Sequence, residues 1–159
     1  MKKYILSLMA VAAAMFATAQ VKTGIEVLRD GGFKQLQGKR VGLVTNPSGV
    51  DRNLKSTVDI LNEAPGVKLV ALYGPEHGVR GNAHAGDAVG DAVDAKTGVK
   101  TYSLYGKTHK PTAAMLKDID VLVYDIQDIG CRSYTFYATM GMCMASLPAS
   151  LPPTSMRKG

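Results

Sequence analysis

Cysteine occurs only twice in the 159 residues, at Cys131 and Cys143, and neither belongs to a CxxC or Cys/His pattern with metal-ligand spacing. An oxidising compartment would permit a disulfide. If both cysteines share one helix, however, twelve residues place them about 18 Å apart along its axis, far beyond disulfide reach. Two buried free thiols are expected. Nucleotide loops are missing as well: neither GxxxxGK[ST] nor GxGxxG occurs, which leaves little basis for a nucleotide cofactor. Lysine and arginine are scattered among aspartate and glutamate rather than gathered in a stripe, so no nucleic-acid partner is expected. Past residue 16 no apolar stretch approaches the roughly 20 residues needed to span a bilayer. No internal repeat is present.

The first apolar stretch is of another kind. Lys2 and Lys3 precede the apolar run from Ile5 to Phe16, and Ala17-Thr18-Ala19 follows as a small-x-small site. This is the pattern of a secretory signal peptide over residues 1–19, which implies a periplasmic or secreted protein. No cysteine follows the small residues, so neither a lipid anchor nor a stable membrane anchor is expected. The formal charge of +6 includes Lys2 and Lys3, so without them it falls to +4. Such a mildly cationic surface favours anionic cell-wall material by long-range attraction.

The remainder reads as strands alternating with helices. Thr23 to Leu36 is expected as a helix broken at Gly31-Gly32. Arg40 to Thr45 is a strand closed by Asn46-Pro47-Ser48-Gly49. Leu54, Val58 and Leu61 recur at helical spacing, and Pro65-Gly66 ends that helix. Val67 to Tyr73, Val99 to Leu104 and Asp120 to Ile126 are three further strands, with a short helix from Ala113 to Lys117 before the last. Near-continuous apolar strands separated by helices predict an α/β fold: a mostly parallel, Rossmann-like sheet with helices on both faces. Tyr134 to Ala145 reads as a helix apolar nearly all round, as a buried helix would be. The prolines at 148, 152 and 153 end it, and no strand follows. The expected organisation is therefore a signal peptide at 1–19, an incomplete α/β domain at 20–144, and a disordered or non-native tail at 145–159.

In open α/β sheets the ligand site lies beyond the carboxyl ends of the strands. Three such ends carry polar groups: Asn46 and Ser48; Glu76, His77 and Arg80; and Asp125, Gln127, Asp128 and Arg132. Glu76 follows a proline and is the sharpest candidate for a general acid, because a carboxyl at the lip of an apolar sheet can hold its proton. His77 is a candidate to orient it or share its proton. Asp125 or Asp128 would supply the second carboxylate of a glycosidase pair. Arg80 and Arg132 suit an anionic substrate group, since guanidinium matches carboxylate bidentately. Asn46, Ser48 and Gln127 would complete the substrate-binding rim. A long polar segment, His77 to Lys96, follows the second strand directly and is expected to be functional. Within it His84, Asp87 and Asp91 fit no metal-ligand pattern, and no metal is expected.

Three segments carry a resemblance: Val41 to Gly49 (VGLVTNPSG), Tyr73 to Gly81 (YGPEHGVRG) and Val123 to Thr135 (VYDIQDIGCRSYT). Together they resemble the exo-β-N-acetylmuramidase family, long classed as a domain of unknown function, DUF1343, and including the NamZ-type enzymes. The likeness runs from about Thr23 to Met144. It implies a Rossmann-like domain followed by a C-terminal domain that this chain lacks, with the active cleft between them. It also implies release of terminal N-acetylmuramic acid from peptidoglycan fragments, with no cofactor. The glutamate of the family's Gly-Pro-Glu-His-Gly motif corresponds to Glu76. The family chain is more than twice as long, and an acidic residue is commoner in the family where this chain has Asn82. A truncated, inactive fragment of such an enzyme is the first expectation. A non-catalytic module that binds a cell-wall sugar is the alternative.

Overall fold

The computed structural model describes residues 21–81, 92–131 and 133–147. The signal segment, His84, Asp87, Asp91, Arg132 and the tail beyond residue 147 lie outside the described residues.

Helix α1 (Gly24–Asp30) leads into strand β1 (Arg40–Thr45), helix α2 (Thr57–Glu63) and strand β2 (Lys68–Gly74). A short strand β3 (Ala92–Val93), strand β4 (Lys100–Ser103), helix α3 (Ala113–Leu116), strand β5 (Val121–Asp125) and helix α4 (Phe136–Ser146) follow. The strands form one sheet in the order β3-β4-β2-β1-β5. All neighbours are parallel except β3, which runs antiparallel along the edge of β4. The parallel, Rossmann-like α/β expectation holds. β3 is only two residues long and exposed at both, too short to show a strand pattern in the sequence.

Strand alternation divides the core between the two faces. Val41, Leu43 and Leu72 pack with Ile25 of α1 and Val58 and Leu61 of α2. Val44, Ala71 and Tyr73 point the other way and meet Leu116 of α3 and Cys143 of α4. Leu43, Leu61 and Leu72 are wholly buried, and each contributes roughly 1.5–3 kcal/mol by leaving water. Gly42 makes room for this packing: a Cβ there would lie 2.9 Å from the ring of Tyr73. The Tyr73 hydroxyl in turn donates to the carbonyl of Met115 at 2.7 Å.

Three local expectations need correction. Leu54 is not part of α2; it is 80% exposed with φ 61. The cause is Asp51, whose Oδ1 accepts from the amides of Asn53 (2.9 Å) and Lys55 (3.0 Å) and builds a turn in competition with the helix. The helix starts after Ser56, whose hydroxyl accepts from Val58 N at 3.2 Å. The helix expected from Tyr134 begins at Phe136 and is far from buried: only Thr139 and Cys143 are covered. Finally, the cysteines are both free, but Cys131 is exposed and lies in the loop before α4. Cys131 therefore lies outside the core, and burial reaches only Cys143.

Candidate functional site

Strand order reverses at β1, whose neighbours β2 and β5 lead to opposite sides of the sheet. The crevice beyond that reversal is where open α/β sheets take ligands. The chain closes it tightly. Thr45, the last residue of β1, donates its hydroxyl proton to the carbonyl of Asp125 at 2.7 Å. Asn46 Oδ1 accepts from the amide of Ser48 at 2.9 Å and from its hydroxyl at 2.6 Å. The Ser48 oxygen then accepts from the amide of Gln127 at 2.9 Å. Asn46, Ser48 and Gln127, proposed separately from two strand ends, are thus one hydrogen-bonded group. Gly49 must be glycine at this junction: a Cβ would lie 2.2 Å from Thr45 Oγ1 and 2.7 Å from the Asp125 carbonyl.

The second strand end is stitched to the first. Gly78 N donates to the carbonyl of Pro75 at 2.9 Å and closes a turn over Glu76 and His77. His77 takes φ 70 in that turn, a left-handed conformation that a non-glycine side chain adopts at a cost of about 1–3 kcal/mol. The turn folds back so closely that a Cβ on Gly74 would lie 2.9 Å from Val79 N. Gly81, at φ 75, sits against Pro47, whose Cγ would be 2.7 Å from an added Cβ. The Glu76 loop and the Asn46 loop therefore touch. Glu76 itself is half-buried and His77 exposed.

A residue that sequence reasoning missed completes this end of the rim. Interaction with the Glu76 carboxyl raises the Tyr105 phenol above its ordinary value. Tyr105 stands two residues past the end of β4. The signal that could have found it is the one used for the other strands, since its strand end feeds the same rim.

The two candidate aspartates differ in what they already hold. Asp125 Oδ2 accepts from the hydroxyl of Thr57, which fastens the first residue of α2 to the end of β5. Asp128 Oδ1 accepts from Gly130 N at 2.6 Å. Its Oδ2 is buried with no hydrogen-bond partner among the described residues.

Arg80 is placed differently from its expected role. Its Nε and Nη2 reach the two oxygens of Asp94, each at 2.9 Å, and Nη2 also reaches Asp59 at 2.9 Å. Lys96 closes the network on Asp59 at 2.5 Å. The paired guanidinium holds the Asp94 carboxyl well below the usual carboxylate range, and Asp94 in turn raises Arg80. Burial pushes Asp59 upward, but Arg80 and Lys96 together outweigh it and its value is lowered. The fork expected to clamp a substrate anion is occupied by the protein's own carboxylates.

Comparison with known proteins follows the same lines. The family model described as exo-beta-N-acetylmuramidase NamZ, N-terminal, matches residues 41–151. The peptidoglycan beta-N-acetylmuramidase NamZ of Bacillus subtilis (strain 168) is 61% identical over 125 residues, covering 79% of this chain and 30% of that protein. Among solved structures, a DUF1343 family protein from Bacteroides fragilis NCTC 9343 is similar with a TM-score of 0.71 and 68% identity, over 77% of this chain and 30% of that one. A second DUF1343 family protein from the same organism is similar with a TM-score of 0.63 and 38% identity, over 79% and 31% of the two chains. The chain thus spans about a third of the length of these relatives.

Proposed function

Because the chain belongs to the exo-β-N-acetylmuramidase NamZ N-terminal family, we propose that it forms the Rossmann-like part of a glycoside hydrolase releasing terminal N-acetylmuramic acid from peptidoglycan fragments. The observation that carries this reading is Glu76: a half-buried carboxyl in a rigid turn at the carboxyl rim of the sheet. In this reading Glu76 protonates the glycosidic oxygen as the sugar leaves, a contribution of typically ~10²–10⁴-fold. Asp128 is the better second carboxylate, because Asp125 is engaged by Thr57 while Asp128 keeps one oxygen unengaged. Asn46, Ser48 and Gln127 shape the neighbouring rim. Arg132 remains the candidate for the substrate's carboxylate, since Arg80 is held by Asp94 and Asp59.

The relative's named activity belongs to a protein of which this chain matches 30%, so cleavage by the 159 residues alone is not expected. The positively charged start and short apolar run of residues 1–19 support export, which would bring the protein to peptidoglycan outside the cytoplasm.

The test is a chimera in which residues 41–147 of this chain replace the matching stretch of the Bacillus subtilis relative. Glu76→Gln in that chimera removes most turnover of a chromogenic N-acetylmuramide while sugar binding persists. Near-normal turnover would remove Glu76 from the reaction.

A further inference from the structure

We propose that the loop after β4, residues 105–110, is an anion site on the rim, where Lys107, His109 and Lys110 receive a carboxylate carried by the sugar whose bond Glu76 would cleave. The inference rests on the reading of this rim as the sugar site and names the part of it that tells an acidic sugar from a neutral one.

The cations of the molecule sort by position. Beyond the carboxyl ends of β1 and β2 they are engaged within the protein: Arg52 by Glu26, Lys55 by Glu63, and Arg80 by Asp94 and Asp59. Lys39, Lys68, Lys100 and Lys117 stand at or shortly before the starts of β1, β2, β4 and β5, at the opposite end of the sheet. In the loop after β4, by contrast, Lys107, His109 and Lys110 are all exposed. They make no ion pair among the described residues. Residues 104–112 contain no aspartate or glutamate.

The loop that carries these groups is fixed. Leu104 is buried, and its amide donates to the carbonyl of Gly74 at 2.8 Å. The end of β4 is thereby registered against the end of β2, two residues before Glu76. The Ser103 hydroxyl accepts from the amide of Tyr105 at 3.1 Å and donates to its carbonyl at 3.0 Å. Thr108 Oγ1 accepts from the amide of Lys110 at 3.3 Å and donates to its carbonyl at 2.7 Å. Gly106 turns the chain at φ 94, and the rings of Tyr105 and His109 meet edge-on with centroids 6.2 Å apart.

Strand order decides which cation a substrate carboxylate meets first. β4 lies beside β2, about 4.8 Å away, so its loop adjoins the Glu76 turn. Arg132 follows β5, which is separated from β2 by β1, roughly twice that distance. A carboxylate on the ring whose bond Glu76 protonates is therefore nearer to the loop after β4. Two ammonium groups, each with three donors, hold it by charge-assisted hydrogen bonds.

The experiment is calorimetry on the 159-residue chain with N-acetylmuramic acid and N-acetylglucosamine, which differ by the carboxylate-bearing ether. Lys107→Ala combined with Lys110→Ala is expected to weaken the acidic sugar about tenfold and to leave the neutral one unchanged. Lys68→Ala combined with Lys117→Ala removes the same charge from exposed sites at the opposite end of the sheet and is expected to change neither. In the native chain, amide resonances of residues 105–110 should shift with the acidic sugar only. Equal binding of the two sugars by the native chain overturns the proposal. So does equal weakening of both by the loop variant, or the same weakening from the Lys68 and Lys117 variant. Selective loss in Arg132→Ala with the loop variant unaffected assigns the carboxylate to the loop after β5 and overturns it too. Binding is read without cleavage. An inactive role for Glu76 in the chimera would leave the anion site standing, and failure of the anion site would leave the role of Glu76 untouched.

Discussion

Arg80 and Asp94 meet through two parallel hydrogen bonds of 2.9 Å, with the carboxylate side chain of Asp94 only 7% exposed. The pair ties the loop after β2 to the turn before β4, because Asp94 Oδ2 also accepts from the amide (3.0 Å) and hydroxyl (2.7 Å) of Thr97. Arg80→Ala leaves Asp94 and Asp59 without their shared cation. An unpaired, largely buried carboxylate costs roughly 1–3 kcal/mol, and partial exposure of the arginine keeps the loss within that range. The urea midpoint is expected to fall accordingly. Calorimetry should show N-acetylmuramic acid and N-acetylglucosamine affected alike. A selective loss for the muramic sugar would return Arg80 to the substrate site.

Acid should weaken the fold in a definite window. Glu26 is held down from 4.5 to about 2, first by its hydrogen bond from Arg52 and then by the amide of Thr23. Asp120 is held at about 2, first by the Arg40 side chain and then by its amide. Asp94 is depressed as well. The unfolded chain takes up protons on these groups at higher pH than the folded chain does. Their contribution is therefore complete above about pH 4.5, the ordinary value of Glu26, and is lost as pH falls toward 2. The urea midpoint measured between pH 6 and 2.5 should decline below 4.5, and Glu26→Gln should flatten part of that decline. A midpoint independent of pH across this range would mean that the ion pairs are not formed in solution.

What the sequence made legible, and what it did not, follows from the range of the interactions. The four parallel strands were readable because burial on both faces demands continuous apolar residues, and the polar groups at their ends stood out by contrast. The hydrogen bonds that join Asn46, Ser48 and Gln127 follow from strand order in a parallel sheet, which brings carboxyl ends together. The ion pairs of Arg80 were not legible, because its partners Asp59 and Asp94 lie 21 and 14 residues away and residue type alone cannot tell an internal ion pair from a substrate clamp. Tyr105 escaped notice because the rim was read from three strand ends and that of β4, two residues before it, was not among them. Leu54 fitted the helical period, yet a side chain of Asp51 supplied a better local hydrogen-bonding alternative.

The two thiols should separate cleanly in a labelling experiment. Cys131 is exposed, and hydrogen bonds from the amide and side chain of Ser133 lower it from its ordinary value. Cys143 is buried, and burial pushes it up to about 11. Only the thiolate reacts, so access and ionisation favour the same site. Iodoacetamide at pH 8 is expected to modify Cys131 alone in the folded chain and both cysteines in urea, as read by peptide mass spectrometry. Equal labelling without denaturant would show that α4 does not stay packed on the sheet.

Helix α4 presents the feature hardest to reconcile with a chain acting by itself. Tyr124 donates its hydroxyl to the Phe136 carbonyl at 2.7 Å, and Cys143 enters the core, so one side of the helix is fixed to the sheet. Much of the rest is apolar and exposed: Tyr137 is 62% exposed, Met144 53%, Met140 42% and Met142 41%. Exposed apolar side chains in this number promote association in water. Light scattering should therefore show growth in mass as the concentration of the purified chain rises. Replacing Met140 and Met144 with lysine should suppress it while leaving the urea midpoint within about 0.5 kcal/mol of the parent, as for surface substitutions away from special features. The alternative is that these methionines contribute to the core, in which case the lysine variant would lose stability and aggregate more. The sign of the change in solubility decides between the two.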